Sequence, residues 1–264
     1  SRSYLSRALG ATLATLSGVC LTVVGLVWLQ WDLVEVPVHG VGTVRGFRFF
    51  VEGRRLYAFF GVSFALPPLR EHRFRRPRGT SAHVIRATRK RPGCFSTNAA
   101  WFSGDSRVRD GGEVSEDCLH VNVWTPCTWV TEPNCRKTVV VFLFATGFQS
   151  GGNNRYDGAL FAALGDVVFV APNFRLGAFG FLGTASAQLG NQDAPGSAAL
   201  YDQKLAVEWV LDHIEFFGGD KSNVVLMGSA TGAWSIGAQM LSTSPVWRWH
   251  FSRLILQSES PFRR

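Results

Sequence analysis

The chain has 264 residues, 46% of them hydrophobic, which is enough for one sizeable core. Its net charge is +8, but no nucleic-acid motif with interleaved aromatics accompanies that charge, which argues against a nucleic-acid-binding protein. Much of the excess falls between Arg45 and Arg91, including Arg70, Arg73, Arg75, Arg76, Arg78, Arg89, Lys90 and Arg91. The ordinary reading of such a run is a solvated face. The alternative is a patch for acidic glycans or lipid headgroups.

Taken in order, Leu9 to Leu29 carries no charged residue and is about long enough to cross a bilayer. Arg2 and Arg7 precede it, Asp32 and Glu35 follow, and Trp28 and Trp31 stand where interfacial anchors would. The charge asymmetry predicts residues 1–8 in the cytoplasm, a single-pass signal anchor over 9–31, and the remainder outside the cell. The competing reading is a cleaved signal peptide and a secreted protein; the length of the run and its bulky Trp-Leu-Gln-Trp end favour the anchor. Cys20 inside it reads as a small apolar residue.

Val38 to Val62 alternates and holds glycine turns, as a small antiparallel β unit does. Pro67-Pro68 ends it, and a basic, proline-marked segment follows. The five cysteines suggest an oxidising compartment. Cys94 and Cys118 flank a polar, glycine-containing loop and make a sensible disulfide pair, worth about 3 kcal/mol through loop entropy. Cys127 and Cys135 flank a short loop and offer a second bridge, the alternative being two free thiols.

Leu119–Trp124, Thr138–Phe144 and Val167–Ala171 read as strands, the second nearly continuous in apolar residues like a central strand. Asn173 to Leu182 reads as a loop. Leu200 to Phe217 reads as an amphipathic helix with Leu205, Trp209, Val210 and Ile214 facing the core, ended by Gly218-Gly219. The stretch VVLMGSATGAWSIG, Val224 to Gly237, then gives a buried strand, a G-x-x-x-G turn and a helix, the layout of a nucleophile elbow. A short strand at Leu254–Leu256 follows. This alternation predicts an α/β fold with a mixed, doubly wound sheet. No cofactor or metal motif is found.

An elbow holds its apex residue strained and exposed so that a side-chain nucleophile can attack. Here the apex is Ala230, which has no nucleophilic atom, and Ser229 stands one place too early.

These segments resemble the type-B carboxylesterase and cholinesterase family. AFFGVSFALPP (58–68) is similar to its A-F-L-G-I-P-Y-A-x-P-P segment, and SEDCLHVNVWTP (115–126) to its E-D-C-L-x-L-N-V signature. NFRLGAFGFL (173–182) is similar to N-Y-R-L-G-x-x-G-F-L, and residues 194–219 track the segment before the elbow. The resemblance implies an α/β-hydrolase fold over 32–264 and supports the Cys94–Cys118 bridge. It also suggests two buried ion pairs, Arg73 with Glu116 and Arg175 with Asp202.

The departures matter as much. The family's elbow reads G-E-S-A-G, against Gly228-Ser229-Ala230-Thr231-Gly232 here. Its oxyanion loop reads G-G-G-F, against Ala145-Thr146-Gly147-Phe148, and a β-branched Thr146 does not suit a glycine backbone. Cholinesterases place a tryptophan for the choline cation ten residues before the second loop cysteine. That position is Val108, and Trp101 is out of register. The family's triad acid and histidine come later in order than the elbow. His250 follows too closely to serve, and His213 reads as a solvated helix residue. The chain therefore reads as the N-terminal half of a hydrolase domain, a fragment of a longer protein.

The favoured expectation is a membrane-tethered, catalytically silent relative that binds an extracellular protein, an acidic glycan or a ligand, without cofactor, metal or nucleic acid. The alternatives are a carboxylic-ester hydrolase of which this is a fragment or variant, and a scavenger that binds esters or toxins without turnover.

Overall fold

The computed structural model describes residues 33–80, 84–96, 113–144, 147–183, 196–242 and 251–258. The segment expected to be an anchor, 9–31, lies outside them, as do Ala145, Thr146, Trp101, Val108 and His250. Among the described residues no helix is long and apolar enough to cross a membrane.

The described chain forms a nine-stranded sheet. The strands are β1 (Leu33–Val38), β2 (Gly42–Val51), β3 (Arg54–Ser63), β4 (Val84–Arg86), β5 (His120–Thr125), β6 (Lys137–Leu143), β7 (Val168–Pro172), β8 (Gly219–Ser229) and β9 (Phe251–Gln257). Their spatial order is β1-β2-β3-β5-β7-β6-β8-β9, with β4 pairing beside β2. From β1 to β7 every neighbouring pair on this path is antiparallel; β7-β6, β6-β8 and β8-β9 are parallel.

Sequence explains the division. β1 alternates exposed and buried residues, as a strand with one wet face does. Glu52 and Gly53, both at positive φ, make the two-residue turn that joins β2 to β3. The centre of the sheet is the most buried, β5 at all six positions and β7 at all five. Parallel neighbours need crossover connections, which put helices on the sheet faces. These helices are α1 (Ala159–Gly165), α2 (Gly177–Phe181), α3 (Ala198–His213) and α4 (Thr231–Met240). α3 buries Ala206, Val207, Trp209 and Val210, and Trp209 meets Phe217, whose ring stands 4.9 Å from Phe59 of β3. The mixed sheet with flanking helices agrees with an α/β-hydrolase fold.

Several expectations need correction in detail. The basic segment holds a strand that the sequence reading did not place: Val84–Arg86 pairs in parallel with Thr43–Arg45 of β2. Asn173–Leu182 is not all loop, because Gly177–Phe181 closes one helical turn. The helix expected over 200–217 is α3 followed by a tighter 3-10 turn, Ile214–Phe217, and Leu205 is only half-buried against the core.

Both disulfides are present. Cys94–Cys118 has its Cα atoms 5.0 Å apart and Cys127–Cys135 has them 6.4 Å apart, within the usual range. The ion pairs differ from one another. Arg175 and Asp202 are buried, with Nε on Oδ2 at 2.7 Å and Nη2 on Oδ1 at 2.6 Å. Arg73 grips Glu116 with two 2.6 Å bonds, but its side chain is 40% exposed, so this pair is a surface clamp and not a buried one.

Candidate active site

The elbow forms as its sequence suggests. β8 ends at Ser229, Ala230 takes φ 49° and ψ −126°, and α4 begins at Thr231. Alanine rarely adopts such a backbone, at a cost of about 1–3 kcal/mol, so its surroundings must impose it. They do. The Ala230 N–H donates to the Gln257 carbonyl of β9 at 3.0 Å, and the Ala230 carbonyl accepts from the Trp234 N–H at 3.2 Å. The two glycines permit the close approach. A Cβ on Gly228 would stand 2.6 Å from the Ala233 nitrogen, and one on Gly232 would run into the Leu143 carbonyl of β6. Ser229 belongs to β8, opposite Gln257, one residue before the apex.

The loop after β6 meets this turn. Gly147 and Phe148 both have positive φ, 61° and 56°. The Phe148 N–H donates to Thr231 Oγ1 at 3.3 Å, and the Phe148 carbonyl accepts from the Gly177 N–H at 2.8 Å. The Phe148 ring lies 4.7 Å from Phe181 and 5.6 Å from Trp234, so aromatic side chains line this side of the elbow. Thr146, the other oxyanion-loop residue of interest, lies outside the described residues. Asp202 supports the arrangement from below. It holds both the backbone N–H and the guanidinium of Arg175, two residues before Gly177. Burial pushes the Asp202 carboxyl up, while its bonds to Arg175 pull the other way.

No imidazole is brought to the apex among the histidines whose bonds are described. His213 Nδ1 bonds the Trp209 carbonyl at 2.8 Å on α3. His120 sits at a different corner that sequence reasoning missed. There Ser63 Oγ lies 3.3 Å from His120 Nδ1, and His120 Nε2 lies 3.2 Å from the Asp117 carbonyl and 3.5 Å from its Oδ1. Arg91 bridges the group, donating to Ser63 Oγ at 3.4 Å and Asp117 Oδ2 at 3.1 Å. His120 is 1% exposed, and burial, then the Arg91 charge, pushes its pKa down to about 4. Such a weak base is poorly matched to proton transfer near neutral pH. Ser, His and Asp are all here, yet the arginine already occupies the acid and the histidine serves as a buried strut. The signal that could have found them is their register: Ser63 pairs opposite His120 across β3 and β5.

Cys127, Glu132 and Cys135 could together hold a metal ion, but both sulfurs are committed to the disulfide and Glu132 accepts from Arg55 at 2.6 Å.

Comparison with known proteins places this geometry. Residues 32–264 match the carboxylesterase family. The chain belongs to that family. It is 37% identical over 232 residues to acetylcholinesterase-1 of Trittame loki, covering 84% of this chain and 39% of the relative. It is 40% identical over 229 residues to the acetylcholinesterases of Danio rerio and of Electrophorus electricus, covering 84% of this chain and 35% of each. The chain thus spans between a third and two-fifths of the length of these relatives.

Proposed function

We propose that the protein is a non-hydrolytic carboxylesterase relative, held at the membrane by its N-terminal segment, which acts outside the cell by binding another protein. The observation that carries this reading is Ala230: the elbow backbone is kept while its apex side chain has no atom that can attack a carbonyl. Loss of the nucleophile costs on the order of a million-fold in rate. The Thr231 hydroxyl supports it further, since it ties the Phe148 N–H of the facing loop to the turn. Full-length protein is expected neither to turn over a simple aryl ester nor to be labelled by an organophosphonate probe. Labelling at any side chain of residues 228–232 would overturn the proposal.

One observation favours a second reading, a carboxylic-ester hydrolase of which this is a fragment or variant. The strained apex is present, a backbone of the kind that aims a nucleophile in a working elbow. Ala230→Ser separates the two. The binding reading expects no ester cleavage, because the bonded histidines His120 and His213 point elsewhere. Cleavage by Ala230→Ser would mean that the rest of a working site is in place. A ligand scavenger, drawing on Phe148, Phe181 and Trp234, would instead show saturable binding of an apolar ester without product.

A further inference from the structure

A second surface of the molecule has its own chemistry. β4 and the residues after it run along the antiparallel half of the sheet, locked by backbone bonds. Ala87 N–H donates to the Arg45 carbonyl at 2.7 Å and Phe60 N–H to the Ala87 carbonyl at 2.7 Å. Ile85 and Ala87 point into the core, which turns Arg86 and Thr88 outward, and Arg89 and Lys90 continue exposed. Together with Ser63 and Arg91 they line an open groove, with Glu113 as its acidic member among the described residues. Two of the four cations are already engaged. Arg91 is held by Asp117, and Lys90 donates to the Asn154 carbonyl at 3.0 Å. Arg86 and Arg89 have no acidic partner among the described residues.

Arg86 and Arg89, without an acidic partner among the described residues and flanked by Lys90 in a concave lining, create a field that concentrates anions. The shape narrows the partner. A bilayer surface suits a patch with large apolar side chains to insert, whereas the apolar residues in this lining are Ile85, 8% exposed, and the compact, half-buried Pro92. Single-stranded nucleic acid calls for aromatic platforms, and no aromatic side chain belongs to the lining among the described residues. A flexible chain of charged sugars needs neither.

We infer that the groove of Ser63, Arg86, Thr88, Arg89, Lys90 and Arg91 binds a sulfated glycan chain. Arg86 and Arg89 grip its sulfate groups, and the Thr88 and Ser63 hydroxyls border the path. The inference is independent of the state of the elbow.

The test uses full-length protein and immobilised heparin, with N- and O-desulfated heparin, phosphatidylserine vesicles and single-stranded DNA as competitors. Binding is expected to weaken with rising salt and to be competed by soluble heparin but not by its desulfated form. The double variant Arg86→Gln/Arg89→Gln is expected to lose affinity tenfold or more. Arg78→Gln/Arg136→Gln, which removes the same charge from exposed sites elsewhere, is expected to lose less than twofold. Equal losses for the two variants would show attraction to net charge alone and overturn the assignment. Absence of heparin binding, or stronger competition by vesicles or DNA, would overturn it as well.

Discussion

The elbow and the Ser63–His120 corner are opposites. At the elbow the backbone makes a sharp strand-to-helix turn, with a strained apex and two glycines packed against it, but the apex side chain is a methyl group. At the corner the side chains of a triad are gathered, but the backbone is ordinary β-sheet and the imidazole is sealed and bridged by arginine. Residue types and geometry are separate requirements, and neither region meets both. An inventory of serine, histidine and aspartate finds only the corner, and a search for the turn finds only the elbow.

The largest way to disturb the elbow acts from beneath it. Asp202→Ala leaves the Arg175 charge buried and unpaired, with an expected loss of about 3–5 kcal/mol by chemical denaturation. A loss below 1 kcal/mol would show that Asp202 does not hold the loop reaching Phe148.

The corner should answer to acid. His120 is held near pKa 4 in the folded state against about 6.5 unfolded, so the unfolded chain binds the extra proton first. Its contribution is complete above about pH 6.5 and is lost as the pH falls toward 4, on the order of 3 kcal/mol. His120→Gln should flatten that part of the stability profile. An unchanged slope in the variant would mean that other groups carry the acid response.

Ala230→Gly sharpens the contrast more gently. It relieves the positive-φ strain and is expected to stabilise the protein by about 1 kcal/mol, part of the gain being offset by the freer unfolded chain. Destabilisation would show that the turn is relaxed as it stands. Thr231→Ala removes the acceptor for the Phe148 N–H and should cost roughly 0.5–1.5 kcal/mol. Faster exchange of the Phe148 amide hydrogen would report the freed loop directly.

β6 and β7 were legible in advance because they are nearly unbroken apolar runs. The elbow was legible because two glycines at fixed spacing have a steric purpose there. β4 was hidden, since three residues inside a basic stretch become a strand only when β2 is beside them. The turn of helix at Gly177–Phe181 was hidden by two glycines that disfavour helix, overridden by the packing of Phe181 on Phe148. The exposure of Arg73 was missed because a motif match reports partners and not depth. The corner was missed because Ser63 and His120 are 57 residues apart and only strand register unites them.

The Cys94–Cys118 link also bears on how this protein can diverge. It pins the two ends of a 24-residue span together whatever lies between them. Within the span Glu116 holds Arg73 and Asp117 holds Arg91, so its last residues are tied to the rest of the fold. Each doubling of loop length costs only about 0.6 kcal/mol of closure entropy, so lengthening is thermodynamically cheap only where it leaves those two carboxylates in place.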